Sequence, residues 1–444
     1  MTGGNRRDRI SRAPLIALAT TAVVLLASGD ASADTYVVTK RGDPAPDACK
    51  KRDCSLREAV RAAHERAGAD VIELPNARKP YRLRLGGIDE DLGLVGDLDI
   101  LNDPLVVKHP GKGRATIDAK GIDRVFDVHP GAPATFRKLV ITGGKSAGNG
   151  GAIRSAANLE VVGSRIAGNE AGNEGGGIDI DAGAINVRRS RIVRNSAGSD
   201  GGGGIKYDSS APGSQIVNST IAGNDGGERG GGIFVSGGGG EVRISRSTIA
   251  QNRAFDYGGI IVVNSTVVLV NSTVAANRAI GFAGGISAAD AVVTLNAVTV
   301  ARNVADADDD GDGSAGGLFR FLASRFEVEN SLIALNRLGS GQRNDCDGNQ
   351  PFDSLGHNLV STLGPGGACE GFGPAAGRAS DIVGAGPRIG KLKRNGGPTK
   401  TLALRKRSPA INKAKRTTAP NRDQRGKRRG RIKDIGAYER NTGR

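Results

Sequence analysis

The sequence predicts an all-β protein: a single-stranded right-handed parallel β-helix, a solenoid, with an N-terminal helical cap. Three observations predict it. Units of 25 to 29 residues repeat through the middle of the chain, as in SRIAGNEAGNEGGGI, SRIVRNSAGSDGGGGI, STIAGNDGGERGGGI, STIAQNRAFDYGGI and STVAANRAIGFAGGI. Each unit holds short runs rich in Val, Ile and Thr between Gly-rich corners, with no helical period. Gly supplies 69 of 444 residues, against about 7% in ordinary proteins, without a triplet period, which excludes collagen. About 25 residues suit one coil of three strands and three corners, whereas a propeller blade needs about 40.

The recurrent Asn falls at Asn169, Asn195, Asn224, Asn252, Asn277, Asn303 and Asn336. Stacked coils set equivalent residues in columns about 4.8 Å apart, so these Asn are expected to form a structural amide ladder. The apolar residue after each Gly cluster, at Ile153, Ile178, Ile205, Ile233, Ile260, Ile286 and Leu318, is expected to start an inward column. Seven units with flanking coils predict a rod of 10–12 coils, roughly 50–60 Å long. With aromatics at 3% and no Trp, its core must come from Val, Ile, Leu and Ala.

Residues 1–33 read as a secretory signal peptide. Arg6, Arg7, Arg9 and Arg12 precede the apolar run APLIALATTAVVLLASG, and Ala31-Ser32-Ala33 offers a cleavage site. The alternative is an uncleaved anchor, for which the run is short. The expected mature protein is secreted or held at the cell surface, a monomer, with no transmembrane segment after cleavage. Residues 34–85 read as the N-terminal cap. Within it, Ser55 and Glu58 make a capping box for a helix reaching about Ala67, with Leu56, Ala59, Val60 and Ala63 on one apolar face. Residues 86–340 hold the repeats, and 341–444 hold the last coils and a basic region. The four cysteines form two local pairs, Cys49 with Cys54 and Cys346 with Cys369, read as disulfides in an oxidising compartment. The rival, a metal site, lacks clustered histidines.

The basic region is sharply bounded. Residues 388–444 contain 20 Lys/Arg against 3 Asp/Glu, so a chain of formal charge +16 is nearly neutral before them. Arg405, Lys406, Arg407, Lys427, Arg428, Arg429 and Arg431 are the candidates for binding an anionic cell-envelope polymer or an acidic polysaccharide. No aromatic interleaving accompanies them, so no specific nucleic-acid partner is expected.

Candidate chemistry is sparse. Asp179 and Asp181 alternate along GGGIDIDAG and share a strand face, with Lys206 and Asp208 one coil later. These four are the candidates for proton transfer or Ca²⁺ binding in a polysaccharide lyase or hydrolase; the alternative is a solvated outer strand face. The few Tyr and absent Trp argue against sugar stacking. Asp306, Asp308, Asp310 and Asp312 alternate around Gly311 as at the start of a Ca²⁺ loop, although the twelfth position is Gly317. The pectic-hydrolase order N-x-D, D-D, G-H-G, R-x-K is not met. Gly356-His357-Asn358 breaks the third motif, while Asn421-Arg422-Asp423 and Arg431-Ile432-Lys433 fall in the tail.

CSLREAV at residues 54–60, with Cys49 upstream, resembles the CSLREA-type N-terminal segment of secreted bacterial β-helix proteins. NGGPTKTLAL, SPAIN, RDQRGKRRG and DIGAYE resemble the choice-of-anchor C-terminal region of such proteins, and residues 344–376 fit its entry. The repeats are similar to those of polymorphic outer-membrane proteins. The resemblance implies a right-handed parallel β-helix outside the cell and no settled activity. Lys433 stands before DIGA where related tails carry Cys, and no sorting motif follows Glu439. The signal peptide, the periodic Asn/Gly units and the localised charge set the expected role as non-catalytic surface interaction or adhesion through polyanion binding. The alternatives are an extracellular polysaccharide lyase or hydrolase, and a structural spacer.

Overall fold

A computed structural model describes residue 1 and residues 33–75, 79–87, 90–364 and 368–440. The expected signal peptide lies almost entirely outside the described residues. The folded unit that carries the repeats is Ser32–Arg444.

The repeats wind into a parallel solenoid of three long sheets. Sheet 1 has 12 strands from Thr35–Val37 to Asp353–Gly356, sheet 2 has 10 from Leu98–Ile100 to Cys346–Gly348, and sheet 3 has 12 from Tyr81–Arg82 to Ile382–Val383. One coil runs from Ile178–Ile180 in sheet 2 through Ile185–Arg188 in sheet 1 to Arg191–Val193 in sheet 3. The turn past each ladder Asn adds a short fourth ladder, formed by pairs such as Arg253–Ala254 with Arg278–Ala279. A coil thus has four sides rather than three. The columns are in register: Ile153, Ile178, Ile205, Ile233, Ile260, Ile286 and Leu318 pair in sequence and are buried.

Each ladder Asn Nδ2 donates to the next Oδ1 at 2.9–3.1 Å, from Asn169 to Asn336, and Asp345 Oδ1 ends the series at 2.9 Å. A second ladder runs along the corner between sheets 1 and 3. There Ser164, Ser190, Ser219 and Ser247 each present N–H to the hydroxyl of the next coil's serine, ending on Ser272.

The helix spans Leu56–His64, one turn shorter than expected, with the Ser55–Glu58 capping box formed in both directions. Its apolar face packs on the strands Thr35–Val37, Asp70–Glu73 and Leu98–Ile100. Arg57, fully buried, ties this cap to the first coil. It bonds both oxygens of Asp43 and donates to the carbonyls of Gly93, Val95, Gly96 and Asp97 at 2.7–3.2 Å. Both disulfides form, Cys49–Cys54 beside the helix and Cys346–Cys369 at the last coils.

The basic region does not extend the rod as an end. Past Val383 the chain turns back as a plate over the outer face of sheet 3, beginning with the antiparallel hairpin Ile389–Arg394 and Lys400–Leu404. Sheet 3 accepts it because its outer row changes from Arg165 and Arg191 to Thr220, Thr248, Thr273 and Thr299, flanked by Ala250, Ala275 and Ala301. Gln424 bonds the Thr273 hydroxyl at 2.6 Å, Ala437 N–H bonds that of Thr299, and Ile389, Leu402, Leu404 and Ile435 pack on Ala275, Ala301 and Leu332 as a second core. The DIGAYE residues are docking residues. Gly436, at φ +91°, sits where a Cβ would come 2.8 Å from Thr299 Oγ1, and Glu439 pairs with buried Arg429 at 3.0 Å. Lys433 ties the carbonyls of Arg416 and Ala419 and the side chain of Asn421 together. The hydrolase-like tail motifs thus serve packing.

Candidate functional site: a closed charged face and an open cationic flank

Two outward surfaces carry candidate chemistry. The first is the outer row of sheet 2, where pairing places Asp99, Asp127, Arg154, Asp179, Lys206 and Phe234 side by side in that order. The structure brings Asp179, Asp181, Lys206 and Asp208 together here. It also adds Glu174, which no motif or spacing singles out. Lys206 Nζ lies 2.9 Å from Glu174 and 3.8 Å from Asp208, and 4.5 Å from the centre of the Phe234 ring. Arg154 lies 2.7 Å from Asp181 and 3.6 Å from Asp127.

At Asp179 and Lys206 this face is not a solvated strand surface, while Arg154, Asp181 and Asp208 keep exposed area. Asp179 is 1% exposed and Lys206 3%, because the Gly-rich corner ahead of each strand folds back over it. A Cβ at Gly175 would come 2.4 Å from that of Asp179, and one at Gly202 2.8 Å from that of Lys206, both at positive φ. Burial, and then the adjacent Asp181 carboxylate, push Asp179 up to about 8, so the pair holds a proton at neutral pH. The geometry supplies an acid pair and an ammonium, but Asp179 and Lys206 have no surface from which to reach a polymer.

The same row contains a cluster not anticipated from the sequence. Carboxylate oxygens of Asp97, Asp99 and Asp127 lie within 4.8 Å of one another. Arg124 contacts both Asp97 and Asp127, and His129 Nε2 lies 3.0 Å from Asp99. Burial, then Asp99, push Asp97 up to about 8. At the other end of the row, Tyr257, Phe282, Phe319 and Phe321 gather with ring centres 5.3–6.4 Å apart, and Phe282 is 41% exposed. Low aromatic content therefore does not mean dispersed aromatics. The signal was the ring ahead of the Gly pair in DYGGI and GFAGGI.

In the acidic run that starts at Asp306, oxygens of Asp306, Asp308 and Asp310 converge within 4.8 Å, while Asp312 stands outside the group. Asp306 is buried and accepts the Gly311 N–H at 3.1 Å.

The second surface is the plate and the part of sheet 3 that it leaves bare. Arg405, Lys406, Arg407, Lys427, Arg428 and Arg431 are exposed. Arg429 is different. It is buried and donates to Glu439, Asn271 and the carbonyls of Asp434 and Gly436, so it holds the plate and is withdrawn from any ligand. The plate's three carboxylates, Asp423, Asp434 and Glu439, are all buried.

Among known proteins, residues 125–249 match the family described as "Right handed beta helix region". The fold class is accordingly that of a right-handed parallel β-helix. No curated relative matches the chain. The crystal structure of pectate lyase Pel9A is similar, with a TM-score of 0.52 and 16% identity over 93% of this chain and 98% of that one. At that identity the likeness is one of fold. Among the described residues, no helix is long and apolar enough to cross a membrane.

Proposed function

We propose that this protein is a non-catalytic, extracytoplasmic β-helix that engages an anionic polymer, an acidic polysaccharide or an anionic envelope polymer, through the plate on its sheet 3 flank. One observation carries the reading: the plate buries every one of its described carboxylates and leaves its exposed charge wholly cationic. Such a surface concentrates polyanions by a field that salt screens. The two disulfides support an oxidising compartment. The expected result is elution from a polyanion resin by roughly 0.5 M salt, several times physiological ionic strength. Replacing Arg405, Lys406, Arg407, Lys427, Arg428 and Arg431 with Gln is expected to abolish retention. Retention that ignores salt or these substitutions would overturn the reading.

The second reading is a lyase or hydrolase acting on acidic polysaccharide at Asp179, Asp181 and Lys206. The proton held on Asp179 favours it, and the covering of both Asp179 and Lys206 opposes it. Unsaturated product from a panel of uronates, lost in Asp181→Asn, would establish it against the first.

A further inference from the structure

We propose that the bare coils of sheet 3 hold the gripping part of this polyanion surface: Arg165 and Arg191, flanked by Arg114 and Arg194, clasp the carboxylates of an acidic polysaccharide that runs on to the plate. The inference rests on the polyanion reading and deepens it.

Arg165 and Arg191 are direct partners in the outer row of sheet 3. Like charges directly opposite on neighbouring strands are destabilising. One other such pair is relieved, since Arg253 pairs with Arg278 but lies 2.7 Å from Asp225, whereas Arg337 facing Arg343 and Arg422 facing Arg428 have no ion pair among the described residues. Among the described residues, no carboxylate forms an ion pair with Arg165 or Arg191. Two further guanidinium groups lie near enough to act on Arg165. Arg114 reaches across the corner to the Gly163 carbonyl at 2.6 Å. Arg194 follows its strand at φ +56°, and its Cγ lies 3.7 Å from where a Cβ on Gly223 would stand in the next coil. The groups feel one another, since burial and then the charges of Arg191, Arg194 and Arg114 lower the pKa of Arg165. Arg165 and Arg191 thus stand without a counter-charge among the described residues, in the row that leads to the plate, where a ligand's carboxylates can supply it.

The row leads to the plate. After Arg191 it continues through Thr220 to Thr248, whose hydroxyl donates to the Lys400 carbonyl at 2.7 Å. The plate's edge therefore stands two coils, roughly 10 Å, from Arg191. Guanidinium forks match carboxylates in bidentate fashion. The backbone positions of Arg165 and Arg191 stand one strand spacing, ~4.8 Å, apart, which is close to the advance of one sugar ring along a chain. A polyphosphate sets its charges closer together. The strip's Arg, Thr and Lys offer no ring on which nucleobases would stack.

The test compares the wild type, Arg165→Gln/Arg191→Gln, and a plate variant with Lys406, Arg407, Lys427 and Arg428 replaced by Gln. The probes are polygalacturonate, polyphosphate and single-stranded DNA, titrated across salt. For polygalacturonate, the double arginine variant is expected to bind at least tenfold more weakly at low salt. Its slope of log affinity against log salt should fall by about 1 to 2, as for two lost charge contacts. Arg165→Lys/Arg191→Lys should keep the slope and recover only part of the affinity. Unchanged binding in the double variant, with loss in the plate variant, would overturn this inference and leave the proposed function standing. Tighter, equally arginine-dependent binding of polyphosphate or DNA would overturn the choice of polymer. No binding of any probe by the wild type would overturn the proposed function itself.

Discussion

The outer face of sheet 2 and the flank of sheet 3 both carry charged side chains and resolve them in opposite ways. On sheet 2 the glycine corners close over Asp179 and Lys206, and the buried charges are neutralised: Arg124 by Asp127, Lys206 by Glu174, Asp179 and Asp97 by keeping their protons. On sheet 3 the row is open, water carries the cost of solvating the cations, and Arg165 and Arg191 remain unpaired. The acid pair beside a lysine has the residue types of a catalytic site, yet its charge is consumed in folding. The flank has no catalytic residue types but retains charge that a ligand can use.

The comparison breaks or holds first within the plate, where the two cases are adjacent in sequence. Arg429→Met leaves Glu439 and its carbonyl partners buried without a counter-charge. It is expected to destabilise the plate by about 3–5 kcal/mol, read as lost hydrogen-exchange protection over residues 389–440. Arg428→Gln is expected to stay within about 0.5 kcal/mol of wild type and to weaken polyanion binding instead. Equal destabilisation by both would erase the distinction. On sheet 2, Lys206→Met strands Glu174 beside the Asp179–Asp181 pair. A loss of about 2–3 kcal/mol in denaturant unfolding is expected, somewhat less than for a fully buried pair because Glu174 is partly exposed.

A smaller effect comes from protons. Unfolded Asp179 ionises near its ordinary value of 3.8, while the folded chain holds the proton to about 8. Between those pH values the folded state binds more protons, so this group's contribution to stability is complete below about pH 4 and is lost as pH rises towards 8. Asp97 acts in the same direction. Asp179→Asn is expected to flatten the decline and to gain about 1 kcal/mol or more at pH 8 relative to wild type. A pH profile of unchanged slope would mean that Asp179 is ionised and the face is wetter than its burial indicates.

The solenoid was legible because its information is periodic. One misplaced Asn would break a bond to each neighbouring coil, so the spacing of Asn169 to Asn336 reports the stacking directly. The serine ladder is equally present in the SRI, STI and STV units but gives no distinct signal, since Ser at a turn suggests only local bonding. The plate was not legible. Gln424, Gly436 and Ala437 find partners more than 100 residues away, through contacts with no period in the sequence. The closing of the sheet 2 face was hidden for a different reason: alternation along GGGIDIDAG says which way Asp179 points, but not that Gly175 then covers it.

The smallest effect gives the sharpest test of the contrast, because its sign differs from that of almost every other substitution. Replacing a charged residue normally costs stability or leaves it unchanged. At Arg191 the removed charge is one that its in-register neighbour, Arg165, repels, and no carboxylate loses a partner. Arg191→Gln is therefore expected to raise stability by a few tenths of a kcal/mol, up to about 0.5. The gain should be largest at low ionic strength and should fade as added salt shortens the screening length below the separation of the two groups. The same substitution at Arg253, whose charge Asp225 meets at 2.7 Å, should show no gain. A loss of stability at Arg191 would mean that the guanidinium stem packs usefully on sheet 3, and that the column is kept for folding rather than for a ligand.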